Sequence, residues 1–248
     1  MIDALPDDTR DRLYVGADPE SGSFRFDAAV ARVFPDMIAR SVPCYRELVG
    51  LMAVVSERFL SPGARGFDLG CSLGAVSAAL LAHHQDRDLH LVAVDHSPSM
   101  IERLSQRMAR EITAGRLEPR CADVLEVDTS GASLVVLNLT LQFVPPEQRL
   151  ALLQRLCQRL KPGGGLLLAE KVCSEDAAAE AFLTQAHAAF KRAKGYSELE
   201  ISRKRAALER VMRLDTAAAH QERLHAAGFA HVVPWFQCLN FVAWAAWI

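Results

Sequence analysis

The chain has 248 residues and a formal net charge of −2, which leaves room for one large core and no overall basic excess. A protein that grips nucleic acid usually carries a basic face, so this balance favours a small-molecule substrate and no direct nucleic-acid contact. Hydrophobic residues at 50% with 7% aromatics exclude a disordered chain.

Residues 1–25 read as a loose arm. From Phe26 to Ile38 the pattern predicts an amphipathic helix, with Phe26, Ala29, Val30, Val33 and Phe34 on one face. Ser41-Val42-Pro43-Cys44-Tyr45 breaks it, and a second helix runs to about Leu60. Residues 64–171 alternate strand and helix, which favours a parallel sheet. Within them Pro145-Pro146-Glu147 opens a helix ending near Leu160, and Lys161-Pro162-Gly163-Gly164-Gly165 turns the chain into the strand Leu166–Glu170. Residues 174–214 interrupt the alternation with a polar helical insertion. A helix from about Thr216 to Ala227 stops at Gly228, and two final strands, His231–Gln237 and Leu239–Trp247, form an antiparallel finish. The expected class is α/β: one domain over 1–248, with a doubly wound, mostly parallel seven-stranded sheet. N-terminal helices span 26–60, a ligand-binding core 64–171, the helical insertion 174–214, and a C-terminal helix and strands 215–248.

The densest chemical signal is Phe67-Asp68-Leu69-Gly70-Cys71-Ser72-Leu73-Gly74, followed by the strand Leu91-Val92-Ala93-Val94-Asp95. Gly70 can adopt backbone angles closed to other residues and lets a ligand lie against the main chain. Gly74, at the start of the next helix, allows close packing. A dinucleotide site would carry G-x-G-x-x-G with pyrophosphate on the helix amides. The spacing is instead Gly70-x-x-x-Gly74, and Asp68 just before the turn is poorly placed for pyrophosphate. It suits a ligand with a cationic amine, as the methionine end of S-adenosylmethionine has. Asp95 can accept both ribose hydroxyls, although an acid at a strand end is often a helix cap, and His96-Ser97-Pro98 does resemble a helix start. Asp123 falls where a third strand would deliver an acceptor to the adenine amino group. Asn138 ends a fourth strand, Leu134–Leu137. A glycine turn alone is common; the turn and the acids in register over four strands point to the Rossmann-like class I S-adenosylmethionine-dependent methyltransferase fold.

No apolar run reaches the ~18 residues that span a bilayer, and the acidic start containing Asp7-Asp8 is unlike a basic signal peptide, so a cytoplasmic, membrane-free protein is expected. The six cysteines are scattered without Cys-x-x-Cys, which argues for reduced, mostly buried thiols and against zinc or a disulfide framework. The eight histidines offer no convincing ligand pair; His83-His84 at a helix end reads as a charge complement. No metal is expected.

Several longer segments carry a family likeness. Val33-Phe34-Pro35-Asp36-Met37-Ile38, Arg40-Ser41-Val42-Pro43, the Asp68–Gly74 turn, Val135–Phe143, Gly195-Tyr196-Ser197-Glu198-Leu199-Glu200-Ile201-Ser202 and Trp235-Phe236-Gln237-Cys238 together resemble the carboxy-S-adenosyl-L-methionine synthases. The likeness runs from about Phe26 to Phe241 and stops before the Trp/Ala-rich tail. It implies conversion of S-adenosylmethionine and prephenate to carboxy-S-adenosylmethionine and phenylpyruvate. The product, which can co-purify, would feed a separate enzyme that makes the 5-oxyacetic acid form of the tRNA wobble uridine. It also implies a homodimer and ligand contacts at Tyr45, Gly70, Cys71, Ser72, Asp95, His96, Asp123, Val124, Asn138 and Arg205. The family usually has Asn where this chain has His96; the change is harmless for a backbone contact and alters adenine binding for a side-chain one.

Arg205 is the residue the resemblance makes catalytic. Ser202-Arg203-Lys204-Arg205 on a helix is commonly a solvated basic face. Aimed into the pocket, Arg205 would instead pair bidentately with a carboxylate. Against a plain sulfonium at ~6 Å and an effective dielectric of ~20, its repulsion would be ~3 kcal/mol; a carboxylate on the methyl carbon turns that into attraction. Tyr196 is a further candidate to hold prephenate, and no histidine or carboxylate is evidently placed as a base. Two rivals stand beside this reading. One is an ordinary methyltransferase acting on tRNA or a small molecule, although Asn138-Leu139-Thr140-Leu141 lacks the prolines and aromatic that hold an amide nitrogen. The other is a non-catalytic adenosyl-binding scaffold.

Overall fold

The computed structural model describes residues 10–13, 15, 25–209 and 211–248. Its strands are β1 (Arg65–Leu69), β2 (His90–Asp95), β3 (Leu117–Cys121), β4 (Ala132–Asn138), β5 (Leu160–Cys173), β6 (Asp215–Thr216), β7 (His231–Cys238) and β8 (Phe241–Trp247). They lie in the order β3-β2-β1-β4-β5-β8-β7, with the two-residue β6 paired to β5 off this path. The first five are parallel, and β8 runs antiparallel to both β5 and β7. The α/β class, the parallel core and the antiparallel finish therefore match the sequence expectation.

Side-chain alternation explains why the sheet is covered on both faces. Phe67, Leu69, Val92, Val94, Val135 and Leu137 feed one buried cluster, whereas Leu91, Ala93, Leu134 and Val136 feed the other. Strands buried on both faces read as continuous apolar runs, which is how Leu134–Leu137 and Leu166–Leu168 look in the sequence. Helix α6 (Pro146–Arg159) supplies Leu152, Leu153 and Leu156 to the first cluster, joined by Leu224 of α9 (Ala217–Ala226). Helices α2 (Tyr45–Val55), α3 (Ala75–His83) and α4 (Pro98–Arg107) cover the second face; the short α5 (Ala109–Thr113) follows. The Trp/Ala-rich tail is the buried strand β8, whose small Ala243, Ala245 and Ala246 pack under both layers beside the buried Trp244. Pro234 is tolerated in β7 because that strand is at the sheet edge, where a bulge separates it from Phe236.

Helix α1 (Ala28–Ser41) is capped by Asp27, which accepts from the Ala29 and Val30 amides. It continues three residues beyond the predicted Ile38. The expected loose arm lies mostly outside the described residues. Asp11, within it, is buried: its amide donates to Asp36 at 2.8 Å, and it accepts from Lys204 Nζ at 3.1 Å and from the Tyr196 hydroxyl. Arg40 lies 3.8 Å over the Tyr196 ring and donates to the Lys194 carbonyl at 2.8 Å. These polar contacts tie α1 to the insertion, which consists of α7 (Ala177–Ala193) and α8 (Glu198–Glu209).

Two details differ from expectation. Cys71 and Cys157 are buried, but Cys44 and Cys121 are exposed, and all six thiols are free. Of the histidine pair, His83 contacts Glu57 at 2.6 Å, while His84 is buried and bonds Ser56 Oγ at 2.8 Å. Ser56 gives its own proton to the Ala53 carbonyl, so His84 donates, and burial pushes its pKa down. His84 is thus a neutral structural donor and not a charge complement. Among the described residues there is no cluster of metal-ligand side chains, and no helix is long and apolar enough to cross a membrane.

A buried carboxyl on β5 shapes the loop after β4. Glu170 accepts from the amides of Thr140, Leu141 and Gln142 at 3.1, 2.8 and 3.0 Å. Burial raises its pKa to about 8, against those three donors and the nearby Arg149. Arg149, itself buried, donates to the carbonyls of Val144, Gln142 and Arg213 and pairs with Asp215 at 2.5 Å. The unfolded chain gives up the Glu170 proton near pH ~4.3, whereas the folded one keeps it to about 8. The stability this group contributes below pH ~4.3 is therefore lost progressively as pH rises to about 8. Urea unfolding between pH 5 and 8 should show this decline in the wild type and a flatter profile for Glu170→Gln. Glu170→Ala, which strands three amide donors, should destabilise by about 1–3 kcal/mol.

Candidate adenosyl site

The register of three adjacent strands sets the site. Leu69 of β1 lies level with Val94 of β2 and Leu137 of β4, so Gly70, Asp95 and Asn138 emerge together at the carboxyl edge of the sheet. Chain order reverses at this point, β1 being flanked by β2 and β4, and such a switch point opens a crevice for ligand. Gly70 has φ +80° and its amide donates to the Val94 carbonyl at 2.8 Å. A Cβ there would come within 2.2 Å of Thr140 Oγ1, so both backbone angle and space require glycine. At Gly74, φ +77°, a Cβ would meet Met108 Sδ at 2.9 Å, which is the close packing expected of that position.

Asp68 is buried and gives one oxygen to Ser77, accepting from its amide at 3.1 Å and its hydroxyl at 2.7 Å. It thereby caps the first turn of α3, where Gly74 provides no side-chain cap. The residue lines the ligand space, and burial raises its pKa to about 6. Asp95 accepts one backbone amide on each oxygen, from Ser72 at 2.9 Å and from Ser97 at 2.9 Å. Burial pushes its pKa up while those amides pull it down. The helix cap belongs to Ser97, which accepts from Met100, so Asp95 keeps lone pairs for a ligand. The His96 side chain is largely exposed, with Nδ1 3.8 Å from Asp95. Asn138 offers Oδ1, buried and without a partner among the described residues, and its amide group contacts the Tyr45 hydroxyl. Burial, then the Asp68 charge, pushes the Tyr45 hydroxyl well above its usual pKa.

These residues surround one cavity of about 390 Å³, within the range of small-molecule sites. Its walls include Tyr45, Gly70, Cys71, Ser72, Asp95 and His96. Asp123, Val124 and Asn138 complete the set drawn from the family likeness, with one exception. That exception is Arg205, which is exposed and does not line the cavity in the single chain. Successive helical residues point ~100° apart, and α8 turns Lys204 inward instead. Tyr196 is also displaced from its expected role. It is buried outside the cavity wall, with its hydroxyl engaged by Asp11 and Lys204.

Sequence reasoning missed four further residues of the wall. Lys171 of β5, His187 and Lys191 of α7 and Lys204 of α8 all face the same cavity. A signal existed for Lys191: the residues three and four positions away, His187, Ala188, Lys194 and Gly195, include no acid. The cavity therefore carries both signs of charge, with Asp68, Asp95 and Asp123 from the β1, β2 and β3 strand ends, Lys191 and Lys204 from the insertion and Lys171 from β5.

Comparison with known proteins agrees with this geometry. A methyltransferase domain family model matches residues 67–164. The carboxy-S-adenosyl-L-methionine synthase of Marinobacter nauticus is 49% identical over 242 residues, covering 97% of this chain and 96% of that protein. Its Shewanella oneidensis counterpart is 45% identical over 238 residues, covering 96% and 98%. Among solved structures, human N-acetylserotonin methyltransferase in complex with SAM matches with a TM-score of 0.62 at 17% identity, over 88% of this chain and 55% of that one. An O-methyltransferase family protein from Burkholderia thailandensis matches with a TM-score of 0.62 at 17% identity, over 90% and 60%. The latter two share the class I methyltransferase fold alone. The near full-length identity is of a different order: this chain belongs to the carboxy-S-adenosyl-L-methionine synthase family.

Proposed function

We propose that this protein carboxylates the sulfonium methyl of S-adenosylmethionine, using prephenate as the carbon source and releasing phenylpyruvate and water. In this reading it acts in the cytoplasm as a homodimer, without touching nucleic acid, and its product supplies the carboxymethyl donor for wobble-uridine modification of tRNA. The observation that carries the proposal is the cavity with both signs of charge. Acids and an unpartnered Asn138 oxygen suit an adenosyl group bearing a cationic amine, and lysines in the same space suit a carboxylate donor.

The residues divide the work by charge. Asp95 takes the ribose hydroxyls, Asp123 the adenine amino group, and Asp68 the methionine ammonium. The sulfonium acidifies its methyl C–H bonds. Prephenate loses carbon dioxide and hydroxide as its ring becomes aromatic; the methyl proton joins the hydroxide to form water, and the resulting ylide carbon attacks carbon dioxide. Atoms and charge then balance without a separate base. Confinement favours this step, because free carbon dioxide otherwise diffuses away.

Arg205 stays in the proposal as a rim cation. It is exposed, yet close enough to Lys191 for its charge to lower that amine's pKa. Its pairing with the new carboxylate requires an inward movement of α8 or entry from the second copy of the homodimer. Mass spectrometry of the nucleoside bound to purified Arg205→Ala should show the carboxylated form depleted; undiminished retention ends that role.

Purified protein given S-adenosylmethionine and prephenate should yield phenylpyruvate and a nucleoside heavier by one carbon dioxide. Methyl transfer to bulk tRNA without that product would contradict the proposal. Asp95→Ala should weaken adenosyl binding roughly 10- to 100-fold by calorimetry, the loss of charge-assisted hydrogen bonds to two hydroxyls.

A further inference from the structure

We propose that the lysine-lined part of the cavity is the subsite for the carboxylate co-substrate, and that Lys191 is the cation that pairs with it. The inference rests on the functional reading above. Three lysines, Lys171, Lys191 and Lys204, line one cavity from β5, α7 and α8, and the charges of the first and last reach Lys191. Buried cations repel one another and lose hydration, so such a cluster is unfavourable until an anion joins it.

The three lysines are not equivalent. Lys204 is neutralised locally: its Nζ donates to Asp11 at 3.1 Å, Ser41 Oγ at 2.9 Å and the Tyr196 hydroxyl at 3.2 Å. Lys171 also engages another group in the fold. Lys191 is buried, and among the described residues its Nζ has no hydrogen-bond or ion-pair partner. The charges that reach it are Lys171 on β5 and Lys204 and Arg205 on α8; on its own helix the neighbouring titratable group is His187. His187 is held neutral by burial, its pKa lowered to about 3, and its Nε2 donates to the Ser41 carbonyl at 2.7 Å. No acid faces Lys191 among these groups, so the missing partner is an anion supplied by the ligand.

Burial first, and then the neighbouring cations, lower the Lys191 pKa to about 7. The amine is therefore charged below pH about 7 and increasingly neutral above it. A carboxylate binds the charged form, so kcat/KM for the carboxylate substrate should fall as pH rises through about 7. A neutral lysine acting as a base would give the opposite slope. Lys191 comes from α7 of the insertion, whereas Asp68 and Asp95 come from β1 and β2, and no acid is among the charges that act on it, which assigns it to the second substrate and not to the nucleoside.

The test is prephenate binding to the S-adenosylhomocysteine-loaded enzyme by calorimetry, alongside steady-state kinetics from pH 6 to 9. Lys191→Met should weaken prephenate binding and raise its KM about 10- to 100-fold, with adenosyl binding unchanged. Lys191→Arg keeps the charge at all these pH values and should restore binding while flattening the alkaline fall. An unchanged KM for prephenate in Lys191→Met, a loss of adenosyl binding instead, or a rate that rises with pH through about 7 would each overturn the assignment. Wild-type enzyme that binds prephenate in a Lys191-dependent way but forms no carboxylated nucleoside would overturn the activity and leave the subsite standing.

Discussion

The level register of β2, β1 and β4 is the constraint on which the rest of the site depends. Because Leu69 is level with Val94 on one side and Leu137 on the other, the residues that follow, Gly70, Asp95 and Asn138, face a common crevice. A slip of one residue would turn Asp95 or Asn138 away from it and bury the wrong side chains on both faces. Gly70 completes the arrangement, since the Thr140 side chain occupies the space any other residue would need. Thr140 is in turn held by Glu170, so the floor of the cavity is fixed by a β5 carboxyl that lies outside its wall.

The helical insertion adds two of the three lysines that line the cavity. A doubly wound sheet offers its ligand strand-end acids and backbone amides, and those serve an adenosyl group. Lys191 and Lys204 come from α7 and α8, held over the cavity by the Arg40, Asp11 and Tyr196 contacts with α1. Opposite charges thus meet in one small space, which suits two substrates that must react with each other.

Much of this was legible in the chain because it is local. The glycine turn, the strand-end acids and the apolar runs each report on neighbouring residues, and their spacing carries the parallel order. Residues whose role depends on distant approach were not legible. Glu170 reads as one more strand residue until the loop at 139–142 folds onto it, and Arg149 reads as a surface helix cation although it is buried. Asp11 lay in a stretch that looked structureless, yet it is buried against Lys204 and Tyr196. The choice between Lys204 and Arg205 illustrates the limit most clearly. Both are basic neighbours on one helix, and the ~100° between them is decided by what α8 packs against.

Carbon tracing tests the central claim that the carboxyl group passes between two substrates sharing one cavity with both signs of charge. Prephenate labelled with ¹³C at its ring carboxyl would be turned over with S-adenosylmethionine in buffer holding excess unlabelled bicarbonate. Full retention of the label in the nucleoside's carboxymethyl group is the predicted result. Dilution of that label by carbon dioxide from the medium would contradict transfer within a closed site.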